Sequence, residues 1–198
     1  MRRQGIVAAS ACAAGLVMTY VVAVLVPAGQ WLDDEVFGAV QSLGVGALHQ
    51  WLPFLARRVL PALLISASLG AAVVALRSAR WSEGGMAVAI VVLSVISARL
   101  LRVTLPRPDH TYSYPFNTLP STHVALVVSL VVAIAVLIVR RPNWLDHLLL
   151  GCVVLACVGN VVGYAHRPSD VLASVFLVGA VAAGIGLVTP HRPRPGGV

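Results

Sequence analysis

The chain has 198 residues, 59% of them hydrophobic and 11% charged, with a mean hydropathy of +0.90. This composition excludes an ordinary soluble domain and indicates a membrane protein. The net charge of +7 comes from arginine alone, because the 14 basic residues include no lysine. Arginine stays protonated under partial desolvation and suits phosphate or anionic lipid, so membrane lipids are the expected partners and nucleic acid is not.

The first predicted element follows Met1-Arg2-Arg3 and runs from Ile6 to Pro27. Its apolar stretch exceeds the roughly 7 to 15 residues of a cleaved signal core, so it reads as an uncleaved first span. From Trp31 to Arg58, acids and glycines mix with Trp51 and Phe54 at helical intervals, which predicts an interfacial helix. Further spans, each near the roughly 20 residues needed to cross the hydrocarbon core, are predicted over Val59–Leu76 and Gly85–Val103.

The third span ends in a polar cluster, Arg99-Leu-Leu-Arg102-Val-Thr-Leu-Pro-Arg107-Pro108-Asp109-His110. Arg99 and Arg102 lie three apart and share a helix face; with Arg107 they offer three guanidinium forks for a phosphate or diphosphate, or else snorkel to the interface. Tyr112, Tyr114 and Phe116 in the loop that follows anchor at the headgroup level or form a lip that admits a lipid head group.

Pro120-Ser121-Thr122-His123 precedes the fourth span, Thr122–Val139. A helix N-terminus there presents free N–H groups to an anion, although Ser121 and Thr122 also suit simple capping. The fifth span, Leu148–Ala165, leads to His166-Arg167-Pro168-Ser169-Asp170 at the start of the sixth, Val171–Val188. In a helical turn the Asp170 carboxylate reaches one imidazole nitrogen and leaves the other free to attack, or the segment is an ordinary capped helix start. Residues 190–198 form a short basic tail expected to be disordered. Cys12, Cys152 and Cys157 lie in apolar runs, with neither a disulfide framework nor a metal-ligand spacing, and read as packing residues.

The expectation is therefore one all-α, polytopic domain over 1–198: six transmembrane helices in a bundle, with an interfacial helix between the first two. With both termini cytoplasmic, eight arginines lie inside, including Arg77, Arg80, Arg140 and Arg141, against six outside. All three polar clusters then meet at the extracytoplasmic face of a plasma (inner) membrane. Charged groups at membrane depth each cost about 2.5–3.5 kcal/mol, which calls for a compensating anion, partner or water-filled cavity.

Together the clusters resemble the type 2 phosphatidic acid phosphatase superfamily, whose pattern is K-x6-RP, PSGH and SR-x5-H-x3-D. The matching stretches are Arg107-Pro108, Pro120-Ser121-Thr122-His123 and His166-x3-Asp170. The resemblance implies that His166 forms a phosphohistidine, that Asp170 orients it, and that His123 protonates the leaving oxygen without a metal. Arg107, Ser121 and Thr122 would hold phosphate. The chain departs from the pattern in three places: Leu100 stands where the first basic residue belongs, so Arg99 or Arg102 substitutes; Thr122 replaces the glycine; and the SR pair falls on Gly159 and Asn160, leaving Asn160 to donate a neutral hydrogen bond. The expected activity is hydrolysis of a lipid phosphate or polyprenyl diphosphate. The alternatives are transfer of the phosphoryl group to a sugar or lipid acceptor, or a catalytically weak lipid-phosphate binder.

Overall fold

Apolar runs that lie in lipid have no water for their N–H and C=O groups, so they close their hydrogen bonds internally as helices. A computed structural model describes residues 2–42, 46–108 and 117–188, and no strand occurs among the described residues. The helices are α1 (Arg2–Tyr20), α2 (Pro27–Ser42), α3 (Ala47–Phe54), α4 (Leu60–Arg77), α5 (Trp81–Thr104), α6 (Thr122–Leu137), α7 (Asn143–Val162) and α8 (Pro168–Val188). Wide π-helical turns extend α1 over Val21–Leu25 and join α3 to α4 over Leu55–Val59.

Among the described residues, five helical stretches are long and apolar enough to cross a membrane: Arg3–Leu25, His49–Arg77, Trp81–Thr104, Asn143–Val162 and Pro168–Val188. The fourth expected span, α6, has only 16 residues, about 24 Å at 1.5 Å per residue. It is the most enclosed helix, with Val124, Val127, Leu130, Ile134 and Leu137 all buried. A helix that is apolar all round and wrapped by protein forms a bundle's centre. Around it, Val7, Leu63, Leu69, Val74, Val88 and Leu150 remain exposed, as helix faces turned toward lipid are.

The second span begins earlier than expected, because helix continues through Pro53 and Arg57-Arg58. Pro53 and Pro61 each lack an N–H donor, and the wide turn between them absorbs the misfit: the Leu60 N–H reaches back five residues to the Leu55 carbonyl. The region expected as one interfacial helix therefore divides into α2 and α3. The aromatic loop residues Tyr112, Tyr114 and Phe116, the acid and imidazole of Asp109 and His110, and the tail 190–198 lie outside the described residues.

α1 and α8 run antiparallel in close contact at small residues. A Cβ on Gly5 would stand 2.8 Å from Leu187, one on Gly15 2.8 Å from Phe176, and one on Gly179 2.7 Å from the Cys12 sulfur. Such close approach is how helices gain contact where burial from water contributes little.

Candidate active site

Four chain segments converge at one end of the bundle: the exit of α5, the start of α6, the exit of α7 and the start of α8. The turn leaving α7 is fixed by the Asn160 carbonyl, which accepts the N–H groups of Ala165 (3.2 Å) and His166 (3.3 Å). His166 is 5% exposed and Asp170 fully buried, and His166 Nδ1 lies 3.3 Å from Asp170 Oδ2. The same oxygen accepts the Arg167 backbone N–H at 3.0 Å. With Nδ1 engaged by the carboxylate, Nε2 carries the lone pair that can attack an electrophile.

Ser121 joins α6 to this turn. Its N–H donates to the Asp170 carbonyl (3.1 Å), its hydroxyl caps α6 by accepting from the Val124 N–H (3.4 Å), and its carbonyl accepts from the Ser174 hydroxyl (3.0 Å). The cap leaves the N–H groups of Thr122 and His123 at the helix start without intrahelical acceptors. His123 stands exposed there, within electrostatic reach of Arg57, His166, Arg102 and Arg58. The two imidazoles, 43 positions apart in sequence, therefore share one electrostatic neighbourhood.

Arg107 donates to the Thr118 hydroxyl (3.5 Å), and its other terminal nitrogen, Nη2, is buried without an acceptor. Burial lowers its pKa from the usual arginine value, and Arg167 pushes in the same direction, while Asp170, Asp33 and Asp34 oppose them. A narrow crevice, too tight to admit a water molecule, is lined by Phe37, Thr118, Ala165, His166 and Arg167.

Of the residues singled out in the sequence, His166, Asp170, Ser121, Thr122, His123, Arg107 and Arg102 gather at this end. Arg99 is exposed on α5, one turn behind Arg102, whose charge reaches His123. Asn160 is fully buried beside His166, and its amide nitrogen donates to the Ala156 carbonyl of its own helix (2.8 Å).

Sequence reasoning missed α2 as a wall of the site. Gln30 donates to the Pro108 carbonyl (3.2 Å), and Asp33 accepts from both the N–H (3.0 Å) and the hydroxyl (2.6 Å) of Ser169. Asp34 pairs with Arg167 at 2.6 Å, Phe37 meets Tyr164 edge to face, and Gln41 donates to the Val161 carbonyl. These five residues recur at helical spacing on one side of α2. The available signal was the Asp33-Asp34-Glu35 run, since three of the chain's seven acidic residues stand together there.

The opposite end of α6 carries different chemistry. Arg80 donates to the Leu137 carbonyl (3.0 Å) and Arg141 to the Ala135 carbonyl (2.7 Å), cations satisfying the free carbonyls of a helix C-terminus.

A family model described as the PAP2 superfamily matches residues 85–194, more than half of the chain, from early α5 past the end of α8. No curated protein and no solved structure matches the chain.

Proposed function

The chain belongs to the PAP2 superfamily, whose members are phosphatases, and from that premise we propose that it hydrolyses a lipid phosphate or a polyprenyl diphosphate at the extracytoplasmic face of the plasma membrane. The observation that carries this reading is the buried Asp170–His166 pair, tied through the Asp170 backbone carbonyl to Ser121 at the head of α6. His166 Nε2 attacks phosphorus, and the bond to the leaving oxygen breaks. That oxygen takes a proton from His123, while the Arg107 guanidinium and the first N–H groups of α6 hold the charge that accumulates on the nonbridging oxygens. Water then attacks the phosphohistidine and gives its proton to His123, the P–N bond breaks, and phosphate leaves with both histidines restored. Every group in the sequence of steps is a side chain or backbone N–H, so the reading invokes no metal ion.

Six spans, with α6 as the short central one and α2 lying along the outer interface, suit this reading. The arginine-rich end at Arg77, Arg80, Arg140 and Arg141 is opposite the site, and arginine favours the cytoplasmic side. Both termini are then cytoplasmic, and chemistry at the outer face favours a polyprenyl diphosphate carrier over a phosphatidylglycerol phosphate-like lipid. The test is phosphate release in detergent from a panel of lipid phosphates and diphosphates by wild type, His123→Ala and His166→Ala. Release by wild type and its loss in His166→Ala is the expected result; wild type inert on the whole panel beside an active control enzyme would refute the proposal.

A further inference from the structure

The wide turn Leu55–Val59 packs against the exit of α7, at the level of Asn160 and just before the turn that carries His166. The approach is close because α7 presents Gly159 and Gly163, four residues apart on one face. A Cβ on Gly159 would collide with that of Ala56 and stand 2.9 Å from the Leu52 carbonyl oxygen, and one on Gly163 would stand 2.8 Å from Pro53. A small-residue pair at this spacing lets two helix backbones approach closely. Here it holds residues 52–56 against α7, and the next residue is Arg57.

Three observations about Arg57 converge. It lies within electrostatic reach of His123. Its Nε is buried and has no hydrogen-bond acceptor, and no carboxylate among the described residues forms a salt bridge with it. It stands on a π-helical turn, a geometry that recurs where a helix serves a site. A half-buried guanidinium beside the proton donor, with an N–H lacking an acceptor, is matched by an anion with several oxygens. Asn160, one residue beyond the glycine that admits this turn, offers only a neutral amide, already bonded to Ala156.

We infer that Arg57 is a phosphate-binding residue of this site, delivered by the α3–α4 junction across the Gly159–Gly163 cradle. The inference rests on the phosphatase reading for its substrate but concerns phosphate binding, which can be read without turnover. The experiment measures binding of radiolabelled inorganic phosphate by equilibrium dialysis on the full chain in detergent, together with KM and kcat on the best substrate of the panel. Arg57→Gln is expected to weaken phosphate binding and raise KM by about 10- to 100-fold, with a smaller change in kcat. Arg57→Lys, which keeps the charge and loses the fork, is expected to recover part of the loss. Melting temperatures recorded alongside separate a binding defect from a folding defect.

Arg57→Gln that melts as wild type does and binds phosphate equally well overturns the inference, whether or not lipid is hydrolysed. Wild type that binds phosphate but hydrolyses nothing, with binding lost in Arg57→Gln, defeats the hydrolytic reading and supports this one. Wild type that binds no phosphate overturns both.

Discussion

One carboxylate oxygen of Asp170 meets both His166 Nδ1, at 3.3 Å, and the Arg167 backbone N–H, at 3.0 Å. The acid therefore fixes the imidazole and the turn that carries it in one step, and its own backbone carbonyl accepts from Ser121 at the head of α6. His166, Asp170 and the start of α6 therefore form one connected unit.

Replacing Asp170 with asparagine tests that unit at its centre. An amide cannot favour the imidazolium-like charge that develops as His166 attacks, and its NH2 group can hold the wrong tautomer. The expected outcome is a fall in kcat of about 10²- to 10⁴-fold with KM changed less than about threefold. Steady-state phosphate release on the best lipid substrate is the measurement, and a kcat within about twofold of wild type would exclude Asp170 from the mechanism.

His123 and His166 are expected to differ in their dependence on the leaving group. If His123 supplies the leaving-group proton, His123→Ala loses about 10²- to 10⁴-fold on an alkyl phosphate but less than about tenfold on p-nitrophenyl phosphate, whose leaving group needs little protonation. His166→Ala is expected to lose activity on both. Equal losses for the two variants on the two substrates would remove the acid role from His123.

Much of this site could be read from the chain because each cluster adjoins an apolar run, and counting runs fixes the end of the bundle on which it emerges. His166 and Asp170 sit four apart at a helix start, so their contact follows from helical geometry. The α2 wall could not be read in the same way. Asp33 and Ser169 are 136 positions apart, and the side of α2 that faces the site mixes amide, acid and aromatic groups, so it gives no apolar stripe to follow. Arg57 escaped for another reason. Pro53, Pro61 and the arginine pair interrupt the hydropathy, which places the span's start at Val59, whereas the π-helical turn carries helix straight through them.

Asp33 yields a prediction in pH. Burial raises its pKa above the usual carboxylate value of 3.8, against the lowering effect of its two bonds from Ser169. A carboxyl whose folded pKa is raised binds more protons folded than unfolded, so its contribution to stability is full below the unfolded value and is lost as pH rises through the folded one. Asp33→Asn cannot ionise. Relative to this variant, wild type is expected to lose melting temperature as pH climbs above about 4, with the two curves closest at the acid end. Thermal melts in detergent at stepped pH provide the check, and a difference that moves the opposite way would show that the Ser169 bonds outweigh burial.

Gly159 joins packing to function. Adding a methyl group there forces residues 52–56 away from α7, because what it meets is the Ala56 side chain and the Leu52 backbone rather than a flexible tip. Gly159→Ala is expected to cost about 1–3 kcal/mol as overpacking, a fall in melting temperature of about 2–4 °C for each kcal/mol in a chain of this size. The displaced turn carries Arg57 with it, so phosphate affinity should fall by about tenfold even below the melting range. Gly151, on the same helix, is the control: a Cβ there meets nothing within 4 Å, and Gly151→Ala should leave phosphate affinity unchanged and stabilise α7 by about 0.5–1 kcal/mol through helix propensity. The two alanines have the same helix propensity and differ only in what they meet. A Gly159→Ala protein that loses stability but keeps its phosphate affinity would mean that the glycine serves packing alone.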